Sequence, residues 1–151
     1  MRVVLLKWAF SLSSILLLTM PAHAQAPAVP EPDPHGAVLC SWHIYLMMKN
    51  WGDTCFPSER TEFKLALSEA IEKIEAFIMA SSPATQRDIE RARSKMSSDT
   101  AASRRRLGRD ACTALDKERY RYSEAQGASA IRDDITKLLA VPRKPVMNPC
   151  L

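Results

Sequence analysis

Four cysteines constrain this chain more than any other feature. Cys40, Cys55, Cys112 and Cys150 lie 15, 57 and 38 residues apart. Zinc sites use close pairs such as C-x-x-C, or histidines at ligand spacing, and the chain has neither. An even cysteine count in an exported protein reads instead as two disulfides. Whether the chain is exported is therefore the first question.

The N-terminus answers it. Arg2 and Lys7 make a positive start, and Trp8 to Met20 is apolar and uncharged. Pro21 breaks the run, and Ala22-His23-Ala24 has the small-x-small pattern a signal peptidase accepts. Residues 1–24 are thus expected to be a cleavable signal peptide, with Gln25 as the mature N-terminus. The alternative is a retained anchor. The apolar run falls short of the roughly 18–20 residues a spanning helix needs, so the mature chain is expected to carry no span. The expected destination is the periplasm or the medium of a bacterium. Losing Arg2 and Lys7 takes the formal charge from +4 to +2. That balance is too mild to argue for nucleic acid.

Residues 25–36 form a Pro-rich leader, with Pro27, Pro30, Pro32 and Pro34 favouring an extended, solvated tether. Residues 37–151 are expected to form one all-α domain. Only four glycines occur in the whole chain, and strand-like alternation is nearly absent. A first helix is read over Ala37–Trp51, where Cys40, Ile44, Met47, Met48 and Trp51 share one side and Gly52 makes a stop. Trp42, His43 and Tyr45 fall partly off that line. Ser58–Ala80 carries the clearest stripe: Phe63, Leu67, Ala70, Ile71, Ile74, Phe77 and Ile78. A third helix is read over Ala84–Leu107, capped by Ser82-Pro83, with Ile89, Ala92, Met96, Ser103 and Leu107 as a narrow seam. The fourth runs from Asp110 to Ala140, marked by Cys112, Leu115, Ile131, Ile135, Leu138 and Leu139. Gly127 and Ser129 signal a break within it. A Pro-rich tail then leads to Cys150.

Four helices running up, down, up and down with short turns make a small bundle. Cys55 and Cys112 then meet at the upper end, while the tail returns Cys150 to Cys40 at the lower end. A Cys40–Cys55 bridge would have to span a helix of about 16 Å, whereas bridged Cα atoms come within about 7 Å. Cys55–Cys112 with Cys40–Cys150 is therefore favoured. Each such loop contributes about 4–5 kcal/mol in the chain-entropy account of disulfides.

Chemistry-bearing residues are few. His23 leaves with the signal peptide, His35 sits in the leader, and His43 lies on a mostly apolar helix without an acidic partner at helical spacing. Glu72 and Glu75 share a face, but that face lies opposite the apolar stripe, where solvation is expected. No phosphate loop, G-x-S-x-G or H-E-x-x-H occurs. No catalytic, cofactor or metal residue is assigned. Arg104, Arg105, Arg106 and Arg109 form the one dense charge cluster. From Arg87 to Arg121 there are eleven basic and six acidic residues, and from Asp53 to Glu75 six acidic and three basic. The favoured reading pairs these regions as neighbouring helices. The functional reading is a patch for an anionic envelope surface or an envelope protein. The segment holding Trp42, Tyr45, Met47, Met48, Trp51 and Phe56 is expected to be mainly core, with an exposed binding face as the alternative.

Cys55-Phe56-Pro57, followed by a helix and Ser82-Pro83, resembles the Cys–aliphatic–Pro, helix, Asn-Pro stretch of small exported immunity proteins of the Tai kind. The resemblance covers residues 55–83. It lacks the Tyr-x-x-Gly helix before Cys55, and its final cysteine comes later. It implies a protein-binding module, in that family one that neutralises peptidoglycan amidase toxins in the periplasm. Taken together, the sequence points to an exported helical protein acting by binding. The alternatives are an inhibitor of a cell-wall hydrolase and an envelope enzyme with an unrecognised catalytic set.

Overall fold

The computed structural model describes residues 33–106, 108, 110–148 and 150. The expected signal peptide, residues 25–32 of the leader, Leu107 and Arg109 lie outside them. Among the described residues there are four helices and no strand: α1 (Val38–Cys55), α2 (Glu62–Ser81), α3 (Gln86–Arg106) and α4 (Ala114–Leu138).

Local side chains set the helix starts. Thr61 caps α2 by accepting from the Lys64 N–H at 3.3 Å. Thr85 and Asp88 bond reciprocally at the start of α3, so Thr85, and not Ser82-Pro83, opens that helix. The Ser82 hydroxyl instead donates to the Ile78 carbonyl at 2.7 Å. Thr113 and Asp116 make a full capping box at the start of α4, four residues later than Asp110. Inside α4, Gly127 adopts φ 88° and ψ 162°, a conformation that L side chains rarely reach. The break expected there is real, and it divides α4 into two helical pieces.

The core belongs to α1, α2 and α4, which pack on one another, while α3 lies outside this trio. From α2 it takes Phe63, Ala66, Leu67, Ala70, Ile71, Ile74 and Ile78, all buried. Ile131, Ile135 and Leu138 face them from α4. Leu115, expected on the same face, is half exposed. It lies five residues from Tyr120, about 140° around the helix, and Tyr120 holds the inward position with no exposed area. The Tyr120 ring stacks on Phe56, with centroids 5.1 Å apart, and meets Phe63 edge-on at 5.6 Å.

Tyr120 also explains why α1 runs past Trp51. Gly52 does not stop the helix; it is buried within it. A Cβ at Gly52 would sit 2.7 Å from Cε2 of the Tyr120 ring. Glycine is there because the ring needs the space.

The structure pairs Cys40 with Cys150 and Cys55 with Cys112, with Cα separations of 5.3 and 5.4 Å. The C-terminal tail returns along the foot of α1, where the Leu39 N–H donates to the Val146 carbonyl at 3.0 Å. Arg143 locks this end. Its guanidinium donates to the Asp33 carboxylate and to the carbonyls of His35, Gly36, Leu138 and Val141. Burial alone would raise the Asp33 carboxyl. Hydrogen bonds from Arg143 and the His35 N–H, with nearby positive charge, outweigh it and hold Asp33 below the usual carboxylate range.

Two outcomes follow from this packing. Gly52→Ala gains up to about 1 kcal/mol of helix propensity but forces the buried Tyr120 ring to move, an overpacking cost of about 1–3 kcal/mol. Urea unfolding of the oxidised protein should therefore show a net loss of stability with helix content unchanged. The Asp33–Arg143 contribution is complete above the ordinary aspartate value of 3.8 and is lost as pH falls through the depressed folded value. The melting temperature should stay nearly level from about pH 7 to 5 and drop below about pH 4, and Asp33→Asn should flatten part of that drop.

Candidate functional site

Because α3 stands off the trio, a slot of about 340 Å³ opens between it and α1. Three half-buried side chains of α1, Leu46, Met47 and Trp51, supply its apolar floor, with Met96 of α3 opposite. Four uncharged polar residues, His43, Asn50, Ser97 and Thr100, also line it, together with five charged side chains. The aromatic and Met-rich segment is thus divided. Trp42 and Met48 are buried in the core, whereas Met47 and Trp51 reach the slot.

At its lower end α3 is held by Ile89, which is 3% exposed, and by Glu75 of α2. The Glu75 carboxylate accepts from the Trp42 indole N–H at 2.9 Å and from Arg93 Nε at 2.6 Å. It is 6% exposed. The solvated Glu72–Glu75 pair read from the sequence is therefore corrected: Glu72 is exposed, while Glu75 is a buried acceptor joining three helices. A buried carboxylate is stable only when paired and hydrogen-bonded, and Trp42 and Arg93 meet that need.

At its upper end α3 is held by Arg104. This guanidinium donates to the carbonyls of Asp110 and Ala111 at 3.0 and 2.7 Å, and to the Asp116 carboxylate at 2.9 Å. Burial would raise the Asp116 carboxyl, but bonds from Thr113 and from Arg104 outweigh it and lower it. The Cys55–Cys112 disulfide fastens the same loop to the end of α1.

The arginine cluster is accordingly split. Arg104 is mostly buried and structural, Arg105 and Arg106 are exposed, and Arg109 lies outside the described residues. The expected pairing between the acidic region 53–75 and the basic region is met at Arg93–Glu75, and at Arg121 of α4 with Glu59, which precedes α2, at 2.7 Å. Glu62 and Glu69 of α2 turn instead to Arg132 of α4. Arg121 also lies over the Phe56 ring, 3.9 Å from its centroid. His35 serves the lower lock, its N–H donating to Asp33 at 2.8 Å. His43 is half-buried on the slot wall.

The sequence carried a signal for some of this. Thr-x-x-Asp at 85–88 and 113–116 is a capping spacing, and it places Asp116 where Arg104 finds it. The slot had no comparable signal, since it depends on how far α3 stands from α1. Among the described residues, no group of His, Cys, Asp and Glu is arranged to hold a metal ion, and no helix is long and apolar enough to cross a membrane. No family model, curated protein or solved structure matches the chain.

The split cluster has a measurable consequence. Arg104→Gln removes charge-assisted hydrogen bonds from partly buried carbonyls and should cost about 1–3 kcal/mol. Arg105→Gln with Arg106→Gln should change stability by less than about 0.5 kcal/mol. Chemical denaturation of the two variants side by side checks this.

Proposed function

We propose that this is an exported bacterial binding protein that uses the slot between α1 and α3 as its binding site and performs no catalysis. The observation that carries the reading is the slot itself: a concave site with an apolar floor of four side chains and polar and paired charged groups around it, of a volume at the small end of the range for binding sites, framed by a helix anchored at both ends. Export is supported by the two disulfides, which suit an oxidising compartment, together with the signal-peptide pattern of residues 1–24. The Pro-rich leader separates the cleavage point from the domain. Its last residues, 33–36, are not a free tether but are held in the fold by Arg143.

The test places a photo-crosslinking amino acid at Asn50 on the slot, or at Gln126, an exposed position on α4, in the producing cell. Mature protein should begin at Gln25, and a discrete adduct should form from position 50 and not from 126. Export failure, or equal adducts from both positions, would overturn the reading.

A further inference from the structure

The chemistry of the slot narrows what it takes. Every charged side chain that lines it already holds its counter-ion within the protein. Lys49 pairs with Asp53 at 2.6 Å, Arg104 with Asp116 at 2.9 Å, and Arg93 with the buried Glu75 beneath the slot wall. A charged occupant would find each of these groups already answered by a partner, and at the Arg104 end it would have to compete with a largely buried pair. What the slot does offer is apolar surface from Leu46, Met47, Trp51 and Met96. Two of these are methionines, whose unbranched side chains adapt to irregular shapes. His43 and Asn50 make no side-chain hydrogen bond to other described residues, so each retains capacity for a polar end.

Shape adds a second constraint. The α1 lining runs from His43 to Asp53, and α3 follows from Arg93 to Arg104. Ten helical residues make a slot about 15 Å long. Its volume of about 340 Å³ lies at the small end of ligand sites, which run from roughly 300 to 1,000 Å³. A long, small-volume site lined in this way suits an extended chain better than a bulky ring system.

We infer that the slot binds an uncharged, elongated, largely apolar small molecule, such as a single hydrocarbon chain ending in a hydroxyl. This rests on the slot being the binding site, and it names the class of ligand. The pairing of each lining charge, with Arg93 answered by Glu75 from outside the slot, favours the uncharged form, the four apolar side chains hold the chain, and His43 or Asn50 meets the polar end.

The experiment uses the mature, oxidised protein and two probes that differ only in head-group charge: dodecanol and dodecanoate, each with bromine at the far end of the chain. Bromine quenches tryptophan on contact. The mature chain contains Trp42, which is buried, and Trp51, which lines the slot. The alcohol should quench saturably at one molecule per chain, and Trp51→Phe should remove the saturable part. The carboxylate should bind at least tenfold more weakly. Ser97→Phe and Asn50→Phe fill the slot from opposite walls at exposed positions, and each should abolish binding with the circular dichroism unchanged. Equal or tighter binding of the carboxylate would leave the slot as a site and overturn the neutral class. Absence of saturable quenching in the wild type, or its persistence in both filled variants, would overturn small-molecule binding altogether. Slot-dependent adducts in the cell are judged separately by the crosslinking comparison.

Discussion

The Cys55–Cys112 disulfide decides where α3 can lie. It joins the last residue of α1 to the loop between α3 and α4. The upper end of α3 therefore does not have to be held by apolar burial. Arg104 tightens the same corner by binding the loop carbonyls and the capping carboxylate Asp116. A helix with a single buried residue, Ile89, would otherwise have little reason to stay on the bundle, because most helical stability in proteins comes from packing an amphipathic face. With the upper corner closed, α3 can remain polar along most of its length and still frame a slot.

The lower anchor is electrostatic and works in a different way. Glu75 projects from the apolar stripe of α2 into a place where water is scarce. It stays there because Trp42 and Arg93 supply donors from α1 and α3. The pair is not a surface ion bridge of the kind that contributes almost nothing, since one partner is buried. Removing either donor would leave a charge with incomplete compensation, which is why such groups tend to fix one geometry. Glu75 thus links the core trio to α3 at the level where the slot begins. Arg143 does comparable work at the foot of the bundle, gathering carbonyls from both ends of the domain around one guanidinium.

These three locks account for how the charges are distributed. While Arg121 pairs with Glu59 ahead of α2 and with Glu124 of its own helix, the acid-rich surface of α2 itself is answered by α4 through Arg132. It is answered by α3 only at Arg93. A basic run in the sequence therefore separates in space into a structural residue, Arg104, and exposed residues, Arg105 and Arg106, with different environments. The slot is left with its charges paired off and its apolar floor uncovered.

The sequence by itself determined the helical class, the apolar stripe of α2, the break at Gly127 and a favoured cysteine pairing. Each follows from short-range rules: periodicity, glycine conformation, and the ends at which successive helices must finish. Tertiary structure alone decided the rest. Gly52 reads as a helix stop until Tyr120, 68 residues later in the chain, is seen to need its missing side chain. Leu115 reads as core until Tyr120 takes the inward position. Glu75 reads as solvated until Trp42 and Arg93 converge on it. The slot exists because α3 is held at its two ends and touches the core between them only lightly, through the half-buried Ala92 and Met96. All four depend on which distant side chains meet, and spacing along one helix carries no information about a partner on another.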